Sequence, residues 1–213
     1  MELKVLYEDN HLIAIDKPAG IPVEPGSGVE SLSEYVKEYL KEKYGKPGNV
    51  FLGIVHRLDQ PVTGVIVFAK TSKGASRLSE QIRDRKVKKI YHALIEGELE
   101  KDGEFSGFLE KDEKNRKAIL GKEGKEARLK YKVLAHKAGK TLIEVDLGTG
   151  RFHQIRAVMS GLGHPVVGDV KYGSKIRLSE GEIALRATEL SFKKPTEDEA
   201  LVLKAEGAPW ENL

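Results

Sequence analysis

Gly53-Ile54-Val55-His56-Arg57-Leu58-Asp59-Gln60 lies between two apolar runs, and its reading decides the fold. Leu52, Ile54 and Val55 read as a buried strand. Pro61, Thr63 and Gly64 break it, and Val65-Ile66-Val67-Phe68-Ala69 starts a second. An acid on the connection between two buried strands is held by a rigid scaffold and can still face a cleft. Asp59 is therefore a candidate for chemistry. The plainer alternative is an Asp that caps the turn.

Working outward, Leu3–Tyr7 and Leu12–Ile15 read as a hairpin turning at Glu8-Asp9-Asn10-His11. Ser31-Leu32-Ser33-Glu34 is a capping box, and Leu32, Tyr35, Val36, Tyr39 and Leu40 follow at helical spacing up to Gly45. Ser72 to about Arg85 reads as a helix with Ala75, Leu78 and Ile82 inward. Ile90–Glu96, Leu129–Leu134, Thr141–Leu147, Ile183–Phe192 and Leu201–Leu203 read as strands. The charged, glycine-punctuated tract Glu100–Gly124 reads as exposed hairpins. Gly148-Thr149-Gly150 turns into a helix with Ile155, Val158, Met159 and Leu162 inward, stopped by Gly163-His164-Pro165. Strands dominate and βαβ units are few. The expectation is one α+β domain over residues 1–213, with a mixed, mainly antiparallel sheet and flanking helices. No domain linker stands out in this reading.

The 213 residues suffice for a sizeable core, and 32% charged residues give a charge-rich surface. No apolar run has the length of a membrane helix, and Met1-Glu2-Leu3-Lys4 carries no leader pattern. With no cysteine, disulfides and thiolate metal sites are excluded. A cytoplasmic monomer is the expectation. Charge is uneven: residues 1–50 sum to −3, 51–150 to +6 and 151–213 to 0. Arg83, Arg85, Lys86, Lys88 and Lys89 form the densest cluster. Such a patch favours an anionic partner, phosphate backbones above all, unless it is a solvated helix end complementing the dipole. Tyr91 follows directly, and a tyrosine there can stack on a base.

Gly148 to Arg156 is the second informative segment. Its helix start, with Arg151 and Arg156 and with His153 and Gln154 on the first turn, suits an anion. That anion is either a phosphate or the Asp59 carboxylate. Other readings fail. His153 stands where a dinucleotide fingerprint needs its third glycine, and no phosphate-loop or nucleophile-elbow pattern occurs. The six histidines show no metal spacing, so no metal is expected.

Three stretches together resemble the RluA-type RNA pseudouridine synthases, in that family's order. They are Tyr7-Glu8-Asp9-Asn10-His11-Leu12-Ile13-Ala14-Ile15-Asp16-Lys17-Pro18-Ala19-Gly20, Val55-His56-Arg57-Leu58-Asp59 through Lys70, and Gly150-Arg151-Phe152-His153-Gln154-Ile155-Arg156 through Gly173. Lys89-Ile90-Tyr91-His92-Ala93 is similar to the family's tyrosine motif. Arg186 departs from the pattern, where histidine is usual.

The resemblance implies isomerisation of uridine in ribosomal or transfer RNA to pseudouridine, with no cofactor because the redox state does not change. It implies Asp59 as nucleophile or base on the ribose, Arg156 as its partner charge, and Tyr91 against the target base. Arg57 would fill the gap left by an extruded nucleotide, and the basic cluster would hold phosphates. His56, Arg151, His153 and Gln154 join the expected RNA contacts. Two rivals remain: a non-catalytic RNA-binding protein on the same fold, and a carbohydrate hydrolase with a second acid about 5–10 Å from Asp59.

Overall fold

The chain begins as a hairpin. Strands β1 (Val5–Glu8) and β2 (Leu12–Lys17) pair antiparallel. The Asp9 carboxylate closes their turn by accepting the backbone N–H groups of His11 and Leu12, both at 2.7 Å. This is an Asx turn, the reason Asp is favoured there. The computed structural model describes all residues except Ser27, Ser179, Glu180, Pro209 and 211–213. The chain divides into two units, Met1–Val87 with Glu189–Ala205, and Lys88–Thr188 with Glu206–Leu213.

In the first unit, helix α1 (Leu32–Lys43) starts on the expected capping box. Ser31 Oγ accepts from the Glu34 N–H at 3.3 Å, and Glu34 Oε2 accepts from the Ser31 N–H at 2.7 Å. Strand β3 is only Gly53–Ile54, half-buried, and pairs with β4 (Thr63–Ala69). The long buried strand expected through Val55 does not form. His56 Nε2 instead accepts the Val67 N–H at 3.1 Å, so a side chain takes over where a ladder would continue. Helix α2 (Ser72–Arg83) is capped by Thr71, whose hydroxyl accepts from the Gly74 N–H at 3.1 Å. A Cβ at Gly53 would lie 2.8 Å from that of Ala75, so glycine is what lets β3 approach α2. Leu12, Ala14, Val65, Val67 and Leu78 form the centre of this core. Each large aliphatic there contributes about 1.5–3 kcal/mol by leaving water.

The second unit is a meandering antiparallel sheet. Its strands are β5 (Lys88–Glu96), β6 (Gly103–Asp112), β7 (Lys117–Gly121), β8 (Lys125–Lys137) and β9 (Lys140–Asp146), in the order β5-β9-β8-β6-β7. The charged tract is thus the β6–β7 hairpin. Helix α3 (Gln154–Gly161) lays Ala157 against Leu109, Ala118, Ala127 and Tyr172. Leu162, expected inward, is exposed, because the helix stops at Gly161 and Leu162 lies beyond its last turn. A 3-10 turn covers Val170–Tyr172. Strand β10 (Leu185–Lys193) starts in this unit and ends in the first, where it pairs antiparallel with β11 (Ala200–Lys204). Among the described residues no helix is long and apolar enough to cross a membrane.

Candidate active site

Asp59 is half-exposed on the loop between β3 and β4, behind the buried Leu58. The loop is tied down from several sides. The Val62 N–H donates to the Asp59 carbonyl at 3.0 Å, and the Gly20 N–H donates to the Gln60 carbonyl at 3.0 Å. Gln60 Nε2 returns a bond to the Gly20 carbonyl at 2.9 Å.

Beneath the loop is a residue to which the sequence analysis gave no role. Lys17 ends β2, is fully buried, and donates from Nζ to the carbonyls of Pro18, Gln60 and Val62, each at 2.9 Å. Burial drives its ammonium down to about 7, against the pull of the nearby Asp59 carboxylate. The signal lay in the sequence: a lysine closing the apolar run Leu12-Ile13-Ala14-Ile15, ahead of a proline. Arg57, next to Asp59 in sequence, points outward and pairs with Glu24 at 2.8 Å, both exposed. A surface pair of this kind is worth about 0–1 kcal/mol and is readily exchanged. His56, by contrast, uses Nε2 as an acceptor for the β4 backbone.

The second unit holds Tyr91 and Arg156. Tyr91 is buried on β5 opposite Val145. Lys89, two residues earlier, shares its face of the strand. Its ammonium lies 3.4 Å from where a Cβ on Gly150 would sit, so it reaches the glycine turn. Burial holds it below the usual lysine range. Lys89 therefore differs from Arg83, Arg85, Lys86 and Lys88, which are exposed. Of these, Lys86 pairs with Asp84 at 3.0 Å.

Arg156 is buried and forms a two-pronged ion pair with buried Asp169. Nε meets Oδ2 at 2.6 Å and Nη2 meets Oδ1 at 2.9 Å. Asp169 is the second residue that sequence reasoning left without a role. Its place in Gly168-Asp169-Val170-Lys171-Tyr172-Gly173 was the only signal. The guanidinium also lies 4.9 Å from the Tyr172 ring centre.

The turn before α3 is stapled to β8. Buried Gln154 accepts from Thr149 Oγ1 at 2.7 Å and from the Arg151 N–H at 3.0 Å, and donates to the Arg128 carbonyl at 2.9 Å. Arg151 Nε donates to the Glu126 carbonyl at 2.7 Å. His153 caps the helix in the left-handed conformation, φ 51°. A nearby cleft of about 410 Å³ is lined by Phe105, Arg128, Leu129, Lys130 and Asp146 among others. Its acids and cations are mixed, so it lacks the single-sign field of a phosphate track.

The fold is shared with a solved RNA pseudouridylate synthase domain. A solved human RNA pseudouridylate synthase domain-containing protein (number 4) superposes with TM-score 0.78 at 26% identity, over 97% of this chain and 89% of that one. A profile of the RNA pseudouridylate synthase family matches residues 11–161, and the chain belongs to that family. It is 42% identical over 175 residues to a ribosomal large subunit pseudouridine synthase D of Nitrosomonas europaea, covering 80% of this chain and 50% of the relative. It is 34% identical over 226 residues to a tRNA pseudouridine synthase C of Vibrio parahaemolyticus, covering 96% and 90%. The chain spans about half the length of the first of these relatives.

Proposed function

We propose that this protein isomerises uridine in structured RNA, ribosomal or transfer RNA, to pseudouridine. In that reaction the bond from the ribose to N1 of uracil breaks, the base turns, and a bond from the ribose to C5 forms. The proton on C5 leaves, N1 gains one, and nothing is oxidised or reduced. Asp59 acts on the ribose as nucleophile or base and must be ionised to do either. The observation that carries this reading is the half-exposed Asp59 on a loop fastened by hydrogen bonds to the buried Lys17. Such a loop holds a carboxylate in a fixed place without burying it, which is what pre-organised catalysis requires.

In this reading Arg156 steadies the negative charge and Tyr91 packs against the target base. Arg57 exchanges its weak tie to Glu24 for the strand from which the nucleotide is extruded. Arg83, Arg85, Lys86 and Lys88 track phosphates, and Lys89 meets the strand from its half-buried seat near Gly150. His56, Arg151 and Gln154 serve the RNA by shaping the loops, since each spends side-chain hydrogen bonds on backbone.

The test is Asp59→Asn, assayed by mapping pseudouridine in unmodified large-subunit ribosomal RNA and transfer RNA transcripts. Wild type is expected to form product, and the variant to bind RNA equally and form none. Turnover by the variant removes Asp59 from the chemistry. Absence of product with wild type on every transcript sinks the function.

A further inference from the structure

Phe152 is 47% exposed, unusual for a phenylalanine in a turn otherwise pinned to the sheet. Its ring stacks on that of His153, centroids 3.7 Å apart and planes 19° from parallel. His153 meets Tyr172 edge-on at 5.5 Å, with Nδ1 2.9 Å from the Tyr172 hydroxyl. That hydroxyl also accepts the Ala118 N–H at 2.8 Å, which anchors the series to β7. The three rings are thus fixed before any ligand arrives. The left-handed backbone at His153 costs on the order of 1 kcal/mol, and it is what turns the imidazole under the phenyl ring. Burial, with Arg156 and Lys171 nearby, pushes His153 down to about 3, so a neutral ring supports the stack.

Cations crowd the same place. Lys117 Nζ lies 5.6 Å from the Tyr172 ring centre. Burial and the charges of Arg156, Lys117 and Arg116 push Lys171 below its usual range, opposed by Asp169. Arg116 is exposed at the hairpin tip with φ 48°. Neither Arg116 nor Lys171 has a carboxylate within ion-pair distance among the described residues. Asp169, already forked to Arg156, offsets the repulsion among these cations only in part, and a phosphate would relieve the rest. An exposed flat ring beside them offers stacking that any base can use.

We propose that Phe152, backed by His153 and Tyr172, is a stacking platform for a nucleotide of the RNA outside the target uridine, and that Lys117, Lys171 and Arg116 hold the adjoining phosphate. This subsite rests on the reading that the ligand is RNA. It uses residues other than the basic cluster before Tyr91 and adds a contact that the family resemblance did not imply.

The experiment titrates the full chain with two fluorescein-labelled probes, a single-stranded RNA of mixed sequence and the same strand with its bases removed. Phe152→Ala is expected to weaken the RNA roughly 5- to 150-fold and leave the abasic strand unchanged. Phe152→Tyr keeps a flat ring and should bind both as wild type does. Lys117→Ala with Lys171→Ala should weaken both probes and reduce the salt slope by about 1.4, at ~0.7 per lost phosphate contact. Equal RNA binding by Phe152→Ala and wild type overturns the platform, as does an equal loss on both probes. A wild-type chain that binds neither probe overturns the RNA reading as well.

Discussion

Replacing Lys17 by Met tests whether the acid-bearing loop depends on the charge beneath it. Methionine matches the lysine stem in length and stays apolar, so packing changes little. Three carbonyls lose their donor. Pro18 and Gln60 are exposed residues in part-buried bonds, and Gln60 keeps its bond from the Gly20 N–H. The Val62 carbonyl, in a fully buried bond, has no such substitute. One stranded buried acceptor costs about 1–3 kcal/mol. For a chain this long that is a fall of roughly 2–12 °C in Tm. Turnover measured well below the melting range should fall more than tenfold, because the Asp59 loop loses its tie to β2. The pH dependence gives an independent check. The folded-state value of Lys17 is depressed to about 7, below the ordinary lysine near ~10.4. Between those values the unfolded chain binds the proton that the folded chain gives up. Stability from this group therefore rises with pH through that window and is lost as pH falls through 7. The gap between wild type and Lys17→Met should widen from pH 6 to pH 9 in denaturant melts. Unchanged turnover alongside lost stability would make Lys17 a core residue only, and a pH-independent gap would refute its depressed ionisation.

Arg156→Ala should cost about 3–5 kcal/mol in denaturant melts, because it leaves the buried Asp169 charge without its fork. Adding Asp169→Leu should recover part of that loss, and strict additivity of the two would mean the pair is not coupled. Alanine at Lys86 and Lys88 should flatten the salt dependence of RNA binding measured by titration, with little change in Tm. An unaltered slope would move the phosphate track elsewhere.

Much of the fold was legible because the deciding signals are local. The capping box at Ser31 and Glu34, the Asx turn at Asp9 and the apolar run Val65–Ala69 each fix their element through neighbouring residues. The failures came where a side chain reached across the fold. Nothing in the order of residues says that the His56 ring takes the Val67 N–H and so ends β3 at Ile54. Leu162 fell one residue past a helix end, and its helical spacing could not say so. At the candidate site, Asp59 and Arg156 could be named from type and motif. Lys17 and Asp169, which lie against them, could not, since pairing over an interval of 13 residues or more is a property of packing.

Those two buried ions suggest a common reason for their presence. In the first unit the loop that carries a carboxylate is tied to a buried lysine, and in the second a guanidinium sits against a buried anion. Burying a charge costs several kcal/mol before its partners repay it, so stability alone does not favour the arrangement over an apolar core. What it provides is direction: three carbonyls converge on one Nζ, and two carboxylate oxygens fix the plane of one guanidinium. In the reading proposed, a reaction with no net oxidation or reduction and no cofactor has positioned charge as its main resource. On that argument the cost is spent on orientation. A Lys17→Met or Asp169→Leu variant that gained stability and kept its turnover would show the argument to be wrong.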